Sequence, residues 1–329
     1  GYCPGSVTVY YGSTGGRTGC PANSYCVAKV SAATACTTLG SNYTTSPANS
    51  DAANDCYIPK ASLSGKYVAT ANTNTLTTCE AGYMCPGNAN VAYGSTGGRT
   101  ACVASTASVT GTYQPDTGKT SCISAGNGEY VASAHSNAKA TCPAGNYCPS
   151  GKISGCPANS YCVAGVSAAT ACSTLASGAY PNSAAGSDAA NDCYLNTTAK
   201  MYVATANAAQ VDCAAGGYCP GSVKVNYGST GGRTNCPANS YCVAGVSAAT
   251  ACTTLGSNYT TSSAGSDEAA DCYIPKANLS KKYVASANTN TLTNCEAGYY
   301  CPGTTDVHYG STGGRSSCTA GNYCPAQSS

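Results

Sequence analysis

The chain of 329 residues contains no tryptophan and no phenylalanine, and it has only 2 methionines. All of its aromatic residues are tyrosines, 26 in number, and most of its other hydrophobic residues are small. Such side chains bury little area, and burial stabilises by roughly 25 cal/mol per Å² of apolar surface. The composition therefore excludes a large hydrophobic core, although the length alone would suffice for two ordinary globular domains.

Charged residues are also scarce. Lys, Arg, Asp and Glu together make up 9% of the chain, and the formal net charge is +2. The sequence has no basic stripe for nucleic acid and no polybasic cluster for an anionic membrane. No stretch approaches eighteen consecutive apolar residues, so we expect no direct membrane span. Low charge also weakens the repulsion between copies, which favours self-association, either head to tail or lateral.

Residue combinations that carry catalysis or bind metals are missing. The two histidines, His135 and His308, lie in non-equivalent places, and no Cys-x-x-Cys of the kind that binds zinc occurs. No Ser-His-Asp set or pair of glutamates stands out as a catalytic group. We therefore expect no enzyme activity, no metal and no cofactor.

Cysteine is what the chain has in abundance, with 25 residues. Most of them fall in a recurring seven-residue frame, Cys-x-Ala-(Gly or Asn)-x-x-Cys, in which a tyrosine precedes the second cysteine in all copies but one. The eight frames run from Cys20 to Cys26, Cys79 to Cys85, Cys142 to Cys148, Cys156 to Cys162, Cys213 to Cys219, Cys236 to Cys242, Cys295 to Cys301 and Cys318 to Cys324. Because Gly and Asn visit positive φ at low steric cost, we predict a left-handed fourth residue that turns the two cysteines toward each other. The tyrosine ring is predicted to cover the sulfurs.

Four further couples of cysteines lie between the frames. They are Cys36 and Cys56, Cys102 and Cys122, Cys172 and Cys193, and Cys252 and Cys272. Pairing within each frame and each couple accounts for 24 cysteines and leaves Cys3 unpaired or in an intermolecular bridge. Crosswise pairing, such as Cys20 with Cys36 and Cys26 with Cys56, stays open because sequence does not fix connectivity. So many disulfides indicate an oxidising compartment, and they replace the missing core.

Internal repetition decides the predicted domains. The segment from Gly5 to Cys79 reads almost identically to the segment from Gly221 to Cys295. We predict repeats at 1–84, 85–147 (shortened and divergent), 148–218 and 219–300, with a partial repeat at 301–329. The chain opens on the last residues of a frame, which indicates a processed part of a longer product. The predicted fold class is small disulfide-rich repeats, mostly irregular with short β-hairpins, in an elongated tandem array.

Short regular elements are expected between the cysteines. Alternation predicts a strand over Ser6 to Tyr11, and a second strand is predicted at Lys66 to Thr70 with its counterpart at Lys282 to Ser286. Gly12 to Gly16 is predicted as a turn. Ala32 to Leu39 is predicted to form one or two helical turns capped by Ser31.

Two other repeated motifs invite a ligand interpretation. Gly-Ser-Thr-Gly-Gly-Arg begins at Gly12, Gly94, Gly228 and Gly310. Its spacing is too short for a phosphate-binding loop and Arg replaces the Lys, so a structural hairpin turn is the better interpretation. Pairs of aspartates four residues apart precede a cysteine at Asp51, Asp188 and Asp267. Two carboxylates do not supply the six to eight oxygens that calcium takes, and we predict a capped helical turn instead.

Asn-x-Ser/Thr acceptors for N-linked glycans occur at Asn42, Asn196, Asn258 and Asn278. Asn42 and Asn258 occupy equivalent places in two repeats. In an oxidised, charge-poor protein, covalent glycans at these positions would supply hydration that charges do not.

The tandem Cys-Pro-Ala-Gly/Asn-x-Tyr-Cys units with Ala/Ser/Thr-rich spacers resemble the cysteine-rich repeat surface proteins of protists, notably ciliate immobilisation-antigen-type coats. The frames are also similar to short elements of ephrin-receptor-like and EGF-like extracellular modules. The resemblance covers the whole chain and implies an extracellular, often membrane-anchored glycoprotein without catalysis.

These observations together predict a structural protein located outside the cell or at its surface, either a coat or the protomer of a filament or appendage. The alternative is an adhesion or receptor ectodomain that binds a protein or a sugar. Its candidate site is the stretch from Gly111 to Gly118, which has no counterpart in the other repeats.

Overall fold

The fold is built almost entirely from two-stranded antiparallel hairpins with very short strands. The computed structural model describes residues 1–5, 8, 11 and 13–329. Within these residues there are fifteen strand pairs, and most strands are two residues long. The predicted fold class, repeated disulfide-rich units with short hairpins, is confirmed.

Most hairpins are organised around a cysteine, because the returning strand ends directly before one. These pairs are Ser24–Tyr25 with Thr34–Ala35, Lys66–Tyr67 with Thr77–Thr78, Tyr83–Met84 with Thr100–Ala101, Glu129–Tyr130 with Ala140–Thr141, Asn146–Tyr147 with Ser154–Gly155, Ser160–Tyr161 with Thr170–Ala171, Met201–Tyr202 with Val211–Asp212, Gly217–Tyr218 with Thr234–Asn235, Ser240–Tyr241 with Thr250–Ala251, Lys282–Val284 with Leu292–Asn294, and Tyr299–Tyr300 with Ser316–Ser317.

In each of the remaining pairs, one strand begins directly after the second cysteine of a long couple. They are Tyr57–Ile58 with Val91–Ala92, Tyr194–Asn196 with Lys224–Asn226, Tyr273–Ile274 with Val307–His308, and Ile123–Ser124 with Thr112–Tyr113. The first three bring together strands about thirty residues apart, so they close the larger loops of a repeat.

Helical structure in the described residues consists of short 3-10 turns. These are Cys36–Leu39, Ala53–Asp55, Lys60–Leu63, Pro149–Gly151, Cys172–Gly178, Ala190–Asp192, Cys252–Leu255, Ala269–Asp271 and Lys276–Asn278. No helix among residues 1–5, 8, 11 and 13–329 has the length and apolar character needed to cross a bilayer.

The hydrophobic interior is divided into small clusters, and each of the three larger ones is built on one long-couple disulfide. The first contains Cys36, Cys56, a tyrosine and four aliphatic residues, and the clusters around Cys172 and Cys252 repeat it. At the centre of each cluster lies one fully buried tyrosine: Tyr43, Tyr180 or Tyr259. Two smaller clusters cover frame bridges.

Contacts divide the chain into two compact units. The first comprises residues 1–156 and 162–169, and the second comprises residues 157–161 and 170–329. The division into five repeats stays a prediction.

The predicted local elements fare differently. The strand expected at Lys66 is present as Lys66–Tyr67, and its counterpart is Lys282–Val284. The strand expected over Ser6 to Tyr11 and the turn expected at Gly12 to Gly16 involve residues outside the described part of the chain.

The predicted helix at Ala32 to Leu39 is wrong at its start. Thr34–Ala35 is a strand paired with Ser24–Tyr25, and the 3-10 turn begins at Cys36. Its N-cap is Ala35 rather than Ser31, and no side chain caps it. The returning strand of the hairpin takes precedence over local helix propensity because it brings Cys36 to its bridge.

Candidate functional site

The cysteine frame is the repeated functional unit of this chain, and its backbone has the predicted geometry. The fourth residue is left-handed in all eight frames, with φ between 62° at Asn23 and 89° at Gly321. The chain therefore reverses, and the two cysteine Cα atoms of a frame come within 5.8 to 6.0 Å of each other.

The structure joins the cysteines of each frame and of each long couple. The frame bridges are Cys20–Cys26, Cys79–Cys85, Cys142–Cys148, Cys156–Cys162, Cys213–Cys219, Cys236–Cys242, Cys295–Cys301 and Cys318–Cys324. The long-couple bridges are Cys36–Cys56, Cys102–Cys122, Cys172–Cys193 and Cys252–Cys272. The crosswise alternative does not occur in this structure.

Cys3 is the one described cysteine outside a bridge, and its side chain is exposed. Its backbone N–H donates to the carbonyl of Val30 at 3.0 Å. The second cysteines of two frames, Cys148 and Cys219, make the corresponding bonds to Val166 and Val246. Cys3 thus occupies the place of a second frame cysteine.

Seven of the eight frames, all except Cys318 to Cys324, are also bonded through their backbone to the segment that follows. The N–H of the left-handed residue donates to a carbonyl later in the chain, and its carbonyl accepts the N–H of the first cysteine after the frame. Asn23, for example, donates to Ser46 and accepts from Cys36. In three places the forward acceptor is the second cysteine of the next frame, where Gly145 donates to Cys162, Gly216 to Cys242 and Gly298 to Cys324. One residue therefore both closes its own bridge and attaches the frame to its successor.

The tyrosines lie differently from the prediction. Tyr25, which directly precedes the second cysteine of its frame, packs against the cluster around Cys36 and Cys56. Its equivalents Tyr161 and Tyr241 pack against the corresponding clusters. The Cys79–Cys85 bridge instead packs with Tyr67, from the preceding hairpin, and with Tyr83. Strand pairing decides this, since it fixes the face to which each ring points.

The hydroxyl of each buried core tyrosine donates one hydrogen bond to a backbone carbonyl. The hydroxyl of Tyr43 donates to the carbonyl of Thr73 at 2.9 Å, and its ring meets Tyr93 edge to face with centroids 5.2 Å apart. Burial, and then the neighbouring Tyr93, raises the pKa of Tyr43 above its ordinary value. The pKa values of Tyr180 and Tyr259 are raised for the same reasons.

A second repeated group surrounds an arginine. The Arg99 guanidinium lies over the rings of Tyr67 and Tyr83, with Cζ 4.6 and 4.5 Å from their centroids. Its Nη1 is 2.7 Å from Glu80, which also accepts the Tyr67 hydroxyl at 2.8 Å. The hydrogen bond to Glu80 is the main cause of the raised pKa of Tyr67.

The same arrangement recurs around Arg315, with Glu296, Tyr283 and Tyr299. A shallow cavity of about 260 Å³ adjoins Arg99, and one of about 230 Å³ adjoins Arg315. Around Arg233, Ala214 stands in place of the glutamate, and Arg233 donates to the carbonyls of Ala214 and Ala215. The arginine is thus bonded within the fold at all three positions.

These arginines are the last residues of the Gly-Ser-Thr-Gly-Gly-Arg motif. The motif is predicted from the sequence to be the turn of a hairpin, and this is wrong because the strands on its two sides do not pair with each other. The strands on either side of this loop, Val91–Ala92 and Thr100–Ala101, pair with two different partners. Gly97 within the loop forms a backbone bridge with Val68. The motif is a structural connection between two hairpins.

The aspartate pairs form capped turns, as the sequence suggested. The Asp55 carboxylate accepts the backbone N–H groups of Asp51 and Ala52 at 2.9 and 3.1 Å. Asp192 and Asp271 accept equivalent bonds. In the part of the chain that the structure describes, no three His, Cys, Asp or Glu side chains come together as a metal site.

Both histidines have contacts within the fold. His135 stacks on Tyr83 with ring centroids 4.9 Å apart, and His308 Nδ1 lies 2.9 Å from the carbonyl of Ala270.

The stretch from Gly111 to Gly118 that is unique to the second repeat serves the fold. Gln114 is 3% exposed, and its carbonyl accepts the N–H of Gly82 in the preceding frame. Its side chain donates to the Ser121 carbonyl and accepts from the Asp116 N–H. Gly118 donates to the carbonyl of Cys79. Pro115, Asp116 and Thr117 remain exposed at the tip.

The four glycan acceptors lie in two kinds of surroundings. Asn42 and Asn258 are half-buried and hydrogen-bonded, whereas Asn196 and Asn278 are exposed.

Sequence reasoning missed the arginine group, although a signal was present. Glu80 and Glu296 are the only glutamates in the second position of a frame, and each is followed nineteen residues later by the motif arginine.

Comparison of the sequence with protein-family models and with curated proteins finds no match. What stands is the coarser description, a cysteine-rich protein of repeated short hairpins held by many disulfides. The resemblance to ciliate surface antigens and to ephrin-receptor-like elements rests on the short cysteine motifs alone.

Proposed function

We propose that this protein is a non-catalytic structural component outside the cell, which forms a surface coat or an extracellular filament. The observation that carries the proposal is the double attachment of the frames. A disulfide closes each frame, and in seven of the eight frames backbone hydrogen bonds of the left-handed residue join it to the segment that follows. Repeats attached mainly to their neighbours extend in one dimension, which suits a coat or a filament.

The disulfides support a location outside the cytosol. Twelve bridges in one chain form and persist in oxidising surroundings such as the secretory pathway and the extracellular space. Small units with little hydrophobic core are the ones that depend most on such bridges. An extracellular or cell-surface protein is the class that combines these two properties.

The use of the polar side chains supports a non-catalytic role. The aspartates cap turns, and Glu80 and Glu296 hold arginines that are stacked on tyrosines. Catalytic groups usually converge on a cleft with perturbed pKa values. Here the shifted pKa values belong to core tyrosines, to tyrosines bonded to structural glutamates, and to the Glu129–Lys139 ion pair.

The structure gives less support to the adhesion or receptor alternative, because part of its candidate binding stretch is buried in the fold. Gln114 of this candidate stretch is buried, so the exposed residues that remain for a ligand are Pro115 to Thr117. We therefore favour the structural role, with self-association through the charge-poor surface as its partner interaction.

Electron microscopy of the purified protein, at a series of concentrations, tests the proposal. We expect filaments or sheets of regular spacing, which disappear when the disulfides are reduced. Gels run with and without reductant show whether the association is covalent, since a covalent polymer collapses to monomer only with reductant. Isolated monomers at every concentration, combined with specific binding to cells, would favour the adhesion role instead.

A further inference from the structure

The four glycan acceptor motifs look alike in sequence but differ in what the asparagine does. Two of them, at Asn42 and Asn258, are equivalent by repetition, which makes them the natural first choice for glycosylation. The structure reverses this ranking.

At Asn42 the amide is part of a hydrogen-bonded contact with Asn74. The Asn42 Nδ2 donates to the Asn74 carbonyl at 2.7 Å, and the Asn42 backbone N–H donates to Asn74 Oδ1 at 2.8 Å. Asn74 Nδ2 in turn donates to Ser41 Oγ at 3.1 Å. Gly40 is packed so closely on Asn74 that a Cβ at Gly40 would overlap its side chain.

The contact is repeated in full at Asn258. Its Nδ2 donates to the Asn290 carbonyl at 2.7 Å, its backbone N–H donates to Asn290 Oδ1 at 2.8 Å, and Asn290 Nδ2 donates to Ser257 Oγ. The adjacent Tyr259 is fully buried. Both asparagines therefore fasten one loop of a repeat to another.

Asn278 has no such role. It is the last residue of the turn Lys276–Asn278, its side chain is exposed, and its backbone N–H donates to Pro275 at 2.9 Å. The equivalent residue of the first repeat is Ser62, which makes the same bond to Pro59. Since serine serves equally well there, the side chain at this position is free to carry a modification.

Asn196 is similar in this respect. It ends the strand Tyr194–Asn196 and is exposed. The equivalent positions in the first and fourth repeats are Pro59 and Pro275, so the fold does not need an amide at this point.

We propose that Asn196 and Asn278 carry N-linked glycans, and that Asn42 and Asn258 are structural and stay unmodified. For the native protein, this proposal rests on the extracellular location proposed above, because N-linked glycans are added in the secretory pathway. Passage through any eukaryotic secretory pathway is enough to test it.

The transfer needs a donor sugar attached through its anomeric carbon to a lipid diphosphate. The asparagine Nδ2 forms a bond to that carbon, the bond between the carbon and the phosphate oxygen breaks, and the diphosphate leaves with the electron pair. The amide loses one proton to a base. At Asn42 the attached sugar would have to fit into a half-buried contact, whereas at Asn278 and Asn196 it would extend into solvent.

The experiment is site mapping on the full chain secreted from eukaryotic cells. Enzymatic release of glycans in heavy-oxygen water converts each modified asparagine to labelled aspartate, which peptide mass spectrometry then locates. We expect label at Asn196 and Asn278 and none at Asn42 and Asn258. Asn278→Gln and Asn196→Gln should each lower the intact mass by one glycan and leave the unfolding midpoint unchanged.

A gain-of-site variant provides the matched control. Ser62→Asn creates Asn-Leu-Ser in the first repeat, at the position equivalent to Asn278, and should add a third glycan. Asn42→Gln should leave the glycan mass unchanged and lower the unfolding midpoint.

Two results would overturn the inference: label at Asn42 or Asn258 in folded protein, or no glycan at Asn196 and Asn278. Neither result bears on the structural role, which electron microscopy tests separately, so the two failures are distinguishable.

Discussion

The fourth residue of the cysteine frame has a positive φ, and this backbone angle brings the two cysteines of the frame together. Gly82 has φ of 84° and lies against the backbone carbonyl of His135, with no room for a Cβ. Gly298, in the equivalent frame of the fourth repeat, has φ of 86° but no atom within 4 Å of the place a Cβ would take. The two glycines therefore separate the cost of the angle from the cost of crowding.

We expect Gly298→Ala to cost about 1–2 kcal/mol, the strain of a left-handed residue with a side chain. Gly82→Ala should cost roughly 1–3 kcal/mol more, because the backbone must also move away from His135. Urea unfolding of both variants with the disulfides intact measures the difference. Equal losses would mean that the contact with His135 yields without cost.

At the scale of the element, a hairpin and a disulfide form one unit. The returning strand delivers the cysteine that follows it, and the bridge then holds a hairpin that is too short to be stable alone. The bridges Cys36–Cys56, Cys172–Cys193 and Cys252–Cys272 do more than frame bridges, because each closes a larger loop and also belongs to one of the three larger hydrophobic clusters.

This difference predicts an order of stability losses. On the chain-entropy account, a loop of 20 residues (Cys36–Cys56) is worth about 3 kcal/mol and a loop of 6 residues (Cys20–Cys26) about 2 kcal/mol. Replacing Cys36 and Cys56 by alanine should therefore destabilise the first unit more than replacing Cys20 and Cys26, and the packing of Cys36 and Cys56 in the hydrophobic cluster enlarges the difference.

The second unit contains the matched control. The pairs Cys252–Cys272 and Cys236–Cys242 repeat the two loops, so their removal should give the same order in urea unfolding. A larger loss from the frame bridges in either unit would contradict this account.

At the scale of the whole molecule, stability is spread over similar small clusters, and each of the three main ones has a buried tyrosine. The first unit contains Tyr43, and the second contains Tyr180 and Tyr259. Because their pKa values are raised in the fold, the unfolded chain loses these protons first as the pH rises past about 10.

We therefore expect full stability below pH of about 10 and a progressive loss above it, as the unfolded state then binds fewer protons. Unfolding in urea between neutral and strongly alkaline pH, followed by tyrosinate absorbance, measures this dependence. Tyr43→Phe keeps the ring and has no proton to lose, so it should weaken the alkaline loss in the first unit. An unchanged alkaline loss in that variant would assign the effect to other groups.

Much of this fold is predictable because its signals are local. The left-handed residue between Cys20 and Cys26 follows from the restriction of that position to Gly or Asn, and the capped turn at Asp55 follows from a carboxylate close to free N–H groups. Partners that lie about thirty residues away gave no local signal. Asn74 and Thr73, which hold Asn42 and Tyr43, belong to this group.

The sequence by itself determined that this chain is a series of duplicated, cross-linked units with little core, because composition, cysteine spacing and repetition are all properties of the order of residues. Only the tertiary structure decided which side chains those units use to hold together. Strand pairing set the direction of tyrosine rings such as that of Tyr25 and made Ala35 rather than Ser31 the N-cap of a turn. Contacts between distant loops turned two of the four acceptor asparagines inward. Such outcomes depend on which distant segments meet, and short-range propensity carries no information about that.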